Sequence, residues 1–443
     1  MTAAGGPRAT LGGRANGDRL DPLERRRLAL SFGYFALLLA SYYMVRPLRD
    51  ALGAGSGAAT IKYLATAVFV AMLLLMPLFG WLVTRVRRSL LLPLTYAFFT
   101  ANLAVFGLLF RMRPEDLWIA RAFYVWTTVF NLFVVSVFWS FMAEIWREEQ
   151  GRRLFGVIAA GGSLGGLAGP LLTQSLAGGL GTSGVALLAA LLLAGTVPLI
   201  VLLSRTAPPE PAPEPTALAR AGSTAHTALS PRLDEPVGGA ILAGLTRLTR
   251  SPFLLGIAAL VALGSLLGMI VYIEMARLAA ASFATAAART AFYAQRDLWV
   301  NAASLLLQFI LVGRLAGRFG VRATLTGAAL VAGAAFLAIG LAPALTALVA
   351  ANVALRTTEF GIAKPARDML YTVVDAETKY KVKNVLDTVV YRGSDMLSSW
   401  VHGALLAAGL GLAGLALAGV AAAAALGAIA FAVGSGYRRR GGL

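Results

Sequence analysis

An all-α polytopic membrane protein, with twelve spans in two six-helix halves, is the fold class this sequence predicts. The 443 residues are 58% hydrophobic and 14% charged, with a mean hydropathy of +0.74. A soluble chain carries about a quarter charged residues. Apolar runs of roughly 18 residues or more recur along the whole length, as crossing a bilayer requires. A central stretch rich in Pro, Ala and Ser, TAPPEPAPEPTALARAGSTAHTALSPRLDEP, separates six such runs from six more. That composition reads as a flexible linker.

The runs fall at 29–46, 58–83, 90–110, 116–145, 154–177 and 184–203, then at 252–274, 289–312, 323–341, 344–371, 385–409 and 412–436. Residues 1–27 are polar and arginine-rich and read as a disordered tail without a cleavable signal pattern. The expected divisions are a first half over 28–204, a linker over 205–250, a second half over 251–437 and a short tail over 438–443.

Most of the 39 Lys and Arg residues fall in the tails, the linker and alternate loops. This bias places both termini on the cytoplasmic side of a bacterial inner membrane, in a multi-pass protein. It also accounts for most of the net charge of +18, so a nucleic-acid polymer is not expected as a partner. There is no cysteine, and the two histidines, His226 and His402, are far apart. No phosphate-binding loop, zinc-protease motif or nucleophile elbow is present. The chain is therefore expected to be no enzyme and to hold no cofactor and no metal. Its expected partners are the lipid bilayer and a small anionic solute; the sequence leaves the oligomeric state open, with a monomer compatible.

Charges inside the spans are costly, so each is a functional candidate. They are Arg121, Glu144, Glu274, Arg356, Glu359, Asp387, Arg392 and Asp395, with Lys62 one turn inside the second span. Lys62 could instead reach back to the interface. At about 100° per residue, Asp387, Tyr391, Ser394, Ser398 and His402 share one face of the eleventh span, with Asp395 at its edge. Such a stripe lines a cavity or meets another polar helix. Arg392 and Asp395, three apart, can pair. His402 reads as a packed or hydrogen-bonded histidine. Gly161, Gly165 and Gly169 in the fifth span are spaced to let a neighbouring helix approach closely. Gly165, Gly169 and Pro170 also resemble part of the glycine–proline motif of proton-coupled antiporters, whose second glycine pair is missing here.

The halves echo each other. FGWLVTRVRRSLL, from Phe79, and VGRLAGRFGVRATL, from Val312, follow the second and eighth spans. The latter resembles the loop signature of the major facilitator superfamily, although Thr84 and Gly317 stand at its acidic position. A parallel repeat of two six-helix halves with a site between them is the architecture that this resemblance implies.

A narrower resemblance is to the bacterial and plastid ATP/ADP translocases, the nucleotide triphosphate/diphosphate exchangers. YYMVRPLRDAL, from Tyr42, resembles their first-span signature through Arg46, Arg49 and Asp50. Lys62 in AATIKYL fits the lysine that follows it. Glu144, in FWSFMAEIWREEQGRRLFGVI from Phe138, matches an acidic position at the exit of the fourth span. VYIEMARLA, from Val271, resembles a valine–glutamate motif, through Glu274 and Arg277. KPARDMLYTVVDAETKYKVKNVLDTVVYR, from Lys364, matches best, through Pro365, Arg367, Asp368, Met369, Tyr371, Asp375, Glu377, Lys381, Lys383 and Asp387. Pro47, Lys364 and Glu359 depart from the pattern, so the resemblance does not carry the substrate with it.

What it implies is an alternating-access exchanger of nucleotides or another phosphorylated anion. Arg46, Arg49 and Lys62 would form one cationic cluster, and Lys364, Arg367, Lys379, Lys381 and Lys383 another. Glu144, Glu274, Asp387 and Asp395 would hold those cations in the empty state. Tyr391 joins the substrate set. Asp50, Arg277, Asp368 and Arg392 join the gating pairs. Two other readings remain: a proton-coupled facilitator of an unrelated solute, with Glu144, Glu274 or Asp387 carrying the proton, and a membrane scaffold or sensor that does not transport.

Overall fold

The computed structural model describes residues 21–85, 88–146, 148–206, 245–310, 312–375, 378, 382–383 and 385–441. The tail over 1–20, the linker over 207–244 with His226, and Glu377, Lys379 and Lys381 lie outside these described residues.

In the first half, α1 runs over Pro22–Gly55, α2 over Ile61–Arg85, α3 over Arg88–Met112 and α4 over Leu117–Ile145. Helix α5 covers Glu148–Ala194 and α6 Thr196–Thr206. The second half has α7 over Pro252–Ser282, α8 over Ala286–Ile310, α9 over Val312–Leu341 and α10 over Leu345–Thr358. A wide π-type turn over Glu359–Ala363 leads into α11, Lys364–Met369. A second wide turn, Leu386–Val390, opens α12 over Tyr391–Ala407, and α13 covers Leu412–Arg439.

Eight stretches are long and apolar enough to cross a bilayer by length and composition alone. One of these, Arg153–Thr206, is two spans that meet at Gly181. Its φ of 63° lies in the left-handed region that glycine enters without a Cβ penalty. Gly320, φ 74°, breaks α9 in the same way. Three further spans miss the apolar test for reasons visible in their residues. Helix α8 carries Arg289, Arg296 and Asp297, α10 is interrupted by its π-type turn, and α12 has 17 residues. Twelve spans result, with no strand among the described residues. Both ends of the chain therefore fall on one face, here the terminal side; the opposite face is the far side.

Local chemistry sets where the helices start. Pro22 opens α1, where its missing N–H costs nothing, and Glu24 Oε2 accepts the Asp21 backbone N–H at 3.3 Å. Asp116 caps α4 by accepting from the Trp118 and Ile119 N–H groups at 2.8 and 3.2 Å. Residues 22–27, expected in the tail, are thus helical. The first run, expected to end at 46, continues as helix to Gly55. Hydropathy stops at the charges; the backbone ladder does not, because those charges find buried partners.

Helices α1 and α5 meet backbone to backbone. A methyl on Gly161 would lie 2.5 Å from the Phe32 carbonyl oxygen, and one on Gly169 would lie 2.6 Å from that of Ala40. The small-residue stripe does what its spacing predicts. Around it, Tyr34, Phe35, Tyr96, Phe130 and Phe138 fill the core of the first half, with Phe35 stacked on Phe138 at 4.1 Å. Ile270, Val271, Met275, Phe336 and Leu415 fill that of the second.

Candidate functional site

A cavity of about 470 Å³ lies between the halves. At its far end it meets Arg49, Tyr124, Tyr272 and Asn352, and it reaches Ala363 and Arg367 toward the terminal side. Its walls carry five arginines, Arg46, Arg49, Arg356, Arg367 and Arg392, against two carboxylates, Glu359 and Asp395. Tyr42, Tyr43, Tyr391 and Phe360 supply flat apolar surface, and Thr128, Asn131 and Ser265 supply neutral polar groups.

Behind the far wall sits a buried ionic network. Arg49 grips Asp50 Oδ1 with Nε at 2.9 Å and Nη2 at 2.7 Å. From α8 in the other half, Arg296 Nη2 donates to Asp50 Oδ2 at 2.7 Å and to Asp297 Oδ1 at 2.6 Å. Arg46 Nε lies 3.6 Å from Asp297 Oδ2. The Tyr272 hydroxyl donates to Asp50 Oδ1 at 3.1 Å and sits 3.1 Å from the Tyr124 hydroxyl. Asp50, Arg296 and Asp297 are 1%, 2% and 0% exposed. Burying charges this deeply is tolerable only when every one is paired and hydrogen-bonded.

Two other ties cross between the halves. Trp400 Nε1 of α12 donates to Thr66 Oγ1 of α2 at 3.0 Å, and Lys62 Nζ lies over the Trp400 ring, 4.8 Å from its centroid. The Asn301 amide donates to the Gly166 carbonyl. The Trp400 tie and the ionic network lie in the far half of the molecule, so the cavity is sealed from that side, while the Asn301 tie lies near mid-depth.

The expected site residues divide as follows. Arg46, Arg49, Tyr391, Arg392, Asp395 and Arg367 do line the cavity. Arg392 Nη1 stands 3.5 Å from Asp395 Oδ2, while Asp395 Oδ1 accepts from Ser265 at 2.6 Å. Arg367 Nη2 is 3.1 Å from Glu359 Oε1. Lys62 does not join Arg46 and Arg49; it is not part of the cavity wall and faces α12 from α2. Asp50 is the partner of Arg49, but Arg46 pairs with Asp297 instead. Glu274 is wholly buried outside the cavity, held by Arg277 at 2.7 Å and by His402 Nε2 at 2.9 Å. Glu144 is exposed at the end of α4, and Asp387 is exposed in the turn before α12; neither is part of the cavity wall. Lys383 Nζ pairs with Asp368 at 2.8 Å, and Lys364 is exposed one turn before Arg367. Lys381 lies outside the described residues. The polar stripe of α12 splits: Tyr391 and Asp395 face the cavity, whereas Ser394, Ser398 and His402 are buried.

Arg296 and Asp297 are the network residues that sequence reasoning misses. The signal was two adjacent charges in the middle of an otherwise apolar run. Tyr43, Tyr124 and Tyr272 give no sequence signal beyond being aromatic within spans.

The family model described as Major Facilitator Superfamily matches residues 27–363. No curated protein matches the chain. Among solved structures, an inward-facing, unoccupied bacterial homologue of the human lysosomal transporter Spinster superposes with a TM-score of 0.59 at 13% identity, covering 95% of this chain and 99% of its own. An auto-inhibited POT family peptide transporter gives 0.59 at 16% identity, over 94% and 97%. The nucleoside transporter NupG gives 0.56 at 14% identity, over 93% and 98%.

Proposed function

We propose a function from one established premise: the chain belongs to the Major Facilitator Superfamily, as a multi-pass membrane transporter rather than an enzyme. On our reading it moves a small organic anion by alternating access, exchanging it for another anion. Phosphorylated compounds, nucleotides among them, are the first candidates. The observation that carries this reading is the arginine-rich wall of a central cavity enclosed by both halves. An anion crossing a low-dielectric region needs its charge compensated, and guanidinium forks match carboxylate and phosphate oxygens. The tyrosines beside them offer stacking surface for a ring.

The far-side network supplies the coupling. Arg46 and Arg49 face the cavity yet also pair with Asp297 and Asp50. An anion entering the cavity competes for those guanidiniums and thereby weakens the seal. Ligand and gate exchange partners, so occupancy biases the equilibrium between the two access states. With the termini cytoplasmic, the structure is the state open to the inside.

Thermal stabilisation of purified protein tests this reading, since a ligand that binds the folded state raises its melting temperature. The panel is ATP, ADP, other nucleotides, inorganic phosphate, sugar phosphates, carboxylates and neutral solutes. Stabilisation by anions, reduced in Arg46→Gln, is the expected result. Stabilisation by neutral solutes alone, unaffected by that change, overturns it.

A further inference from the structure

Four of the five cavity arginines have a carboxylate of this chain beside them: Arg46 has Asp297, Arg49 has Asp50, Arg367 has Glu359 and Arg392 has Asp395. The fifth, Arg356, has no hydrogen bond or ion pair with any described residue. Glu359, three residues on, could have served it, but Oε1 is engaged by Arg367. Arg356 stands eleven residues into α10, which at 1.5 Å per residue is about 16 Å from the far end of that helix. Half the hydrocarbon thickness of roughly 30 Å is about the same depth. An unpaired guanidinium at the membrane midplane is the kind of group that persists only where something outside the chain completes it.

We propose that Arg356 receives the negative group of the substrate. This rests on the anion-transport reading above and deepens it by naming the residue that holds the anion. Arg296 shares Asp50 and Asp297 with Arg49 and Arg46, so six arginines of the cavity and the network behind it face four carboxylates, and the excess positive charge favours an anion between the halves. Asn352, one turn earlier on the same face and also on the cavity wall, is placed to orient that group. A second ligand charge has to displace Asp297 from Arg46, which at 3.6 Å is the longest of the four pairs. A third has to break the two-point grip of Arg49 on Asp50. A ligand held by Arg356 on α10 while reaching Arg46 on α1 spans both halves, which is where a transported solute has to act.

The test compares wild-type protein with Arg356→Gln and Arg356→Lys in detergent. Two ligand series each keep the organic part nearly constant while charge changes: adenosine, cyclic AMP, ADP and ATP; and benzyl alcohol, benzoate and phthalate. Dissociation constants are taken from the concentration dependence of the melting temperature. The monoanion of at least one series is expected to bind wild-type more tightly than the neutral member of that series. That binding is expected to weaken at least tenfold in Arg356→Gln and to recover in part in Arg356→Lys. Equal monoanion affinity in wild-type and Arg356→Gln removes Arg356 from the site but leaves the anion-transport reading intact. No response of wild-type to any anion in either series overturns both the inference and the reading beneath it. Because the natural chain has no cysteine, Arg356→Cys gives a second route if the glutamine variant does not fold. A cationic methanethiosulfonate should restore monoanion binding, and a neutral one should not; equal effects of the two overturn the assignment.

Discussion

Neutralising Asp50 should open the far side of the protein. Asp50 accepts two bonds from Arg49, one from Arg296 and one from Tyr272, and the last two partners belong to the other half. Asp50→Asn keeps the shape and removes the charge. Arg296 retains Asp297, but Arg49 loses its only carboxylate among the described residues. Removing one partner of a buried ion pair costs about 3–5 kcal/mol. The cavity lies beside Arg49 and lets water relieve part of that, so the lower end, about 3 kcal/mol, applies. At about 1.4 kcal/mol per tenfold, the ratio of sealed to open far side falls on the order of a hundredfold. A protein sealed at 99:1 then samples both states nearly equally.

The absence of native cysteine makes the assay direct. Asn131 lines the cavity, so Asn131→Cys reports access to it. A membrane-impermeant maleimide applied to oriented proteoliposomes should label the wild-type background from the terminal face alone. In the Asp50→Asn background it should label from the far face as well. The double variant with Arg296→Gln should cost less than the sum of the two single changes, with a coupling of roughly 1–3 kcal/mol, as expected for groups in one network. Unchanged far-face labelling in Asp50→Asn, or strict additivity with Arg296→Gln, would refute the argument that this network is the seal.

Two other perturbations probe the frame around it. Trp400→Phe removes the hydrogen bond to Thr66 and weakens the contact with Lys62. At about 1 kcal/mol for the bond and 0.5–1 for the cation–π contact, far-face labelling should rise roughly tenfold, and Lys62→Gln should add little on the Trp400→Phe background. Full additivity would mean that Lys62 acts elsewhere. Gly165→Ala places a methyl against the Ala36 carbonyl oxygen and 2.8 Å from the Ala40 nitrogen, backbone atoms that cannot retreat without moving α1. It should destabilise by about 1–3 kcal/mol. Gly178→Ala, with nothing within 4 Å of the added carbon, should be neutral or slightly stabilising. A melting curve for Gly165→Ala that matches wild-type would refute the close packing of α1 on α5.

The spans, the division into halves and the glycine stripe were legible because each is a periodic or compositional signal carried within one segment. So was the pairing of Arg392 with Asp395, three residues apart on one helix. Arg46, Arg49 and Asp50 were named through the resemblance, but the contact between halves that makes them a seal was not legible, for two separate reasons. Arg46, Arg49 and Asp50 follow the most apolar part of their run, so hydropathy marks a helix end where the helix continues for another turn or more. Arg296 and Asp297 cancel in charge and lower the apolar average of α8 without marking a site. Their partner Asp50 is 246 residues away from Arg296 in the chain, and no spacing rule reaches that far. Lys62 went astray in the opposite sense. Its depth in the membrane resembles that of Arg49, but depth along a helix says nothing about direction around it, and α2 presents Lys62 to α12.

The geometry of the seal also fixes the order in which it yields. Three contacts to the carboxylates of the cluster cross between the halves: hydrogen bonds from Arg296 and from Tyr272 to Asp50, and the longer ion pair of Arg46 with Asp297. The third is the longest and the only one whose cation faces the cavity. A ligand anion that takes Arg46 frees Asp297, which already holds Arg296 at 2.6 Å and can then hold it alone. The claim of Arg296 on Asp50 weakens in consequence, although the ligand never touches Asp50. Loss of the outermost pair thus propagates to the most buried one through a single shared guanidinium. An empty cavity leaves all three contacts in place, and the far side stays shut. Under the proposed anion exchange, a protein built this way resists changing sides without its anion, as exchange rather than simple passage requires.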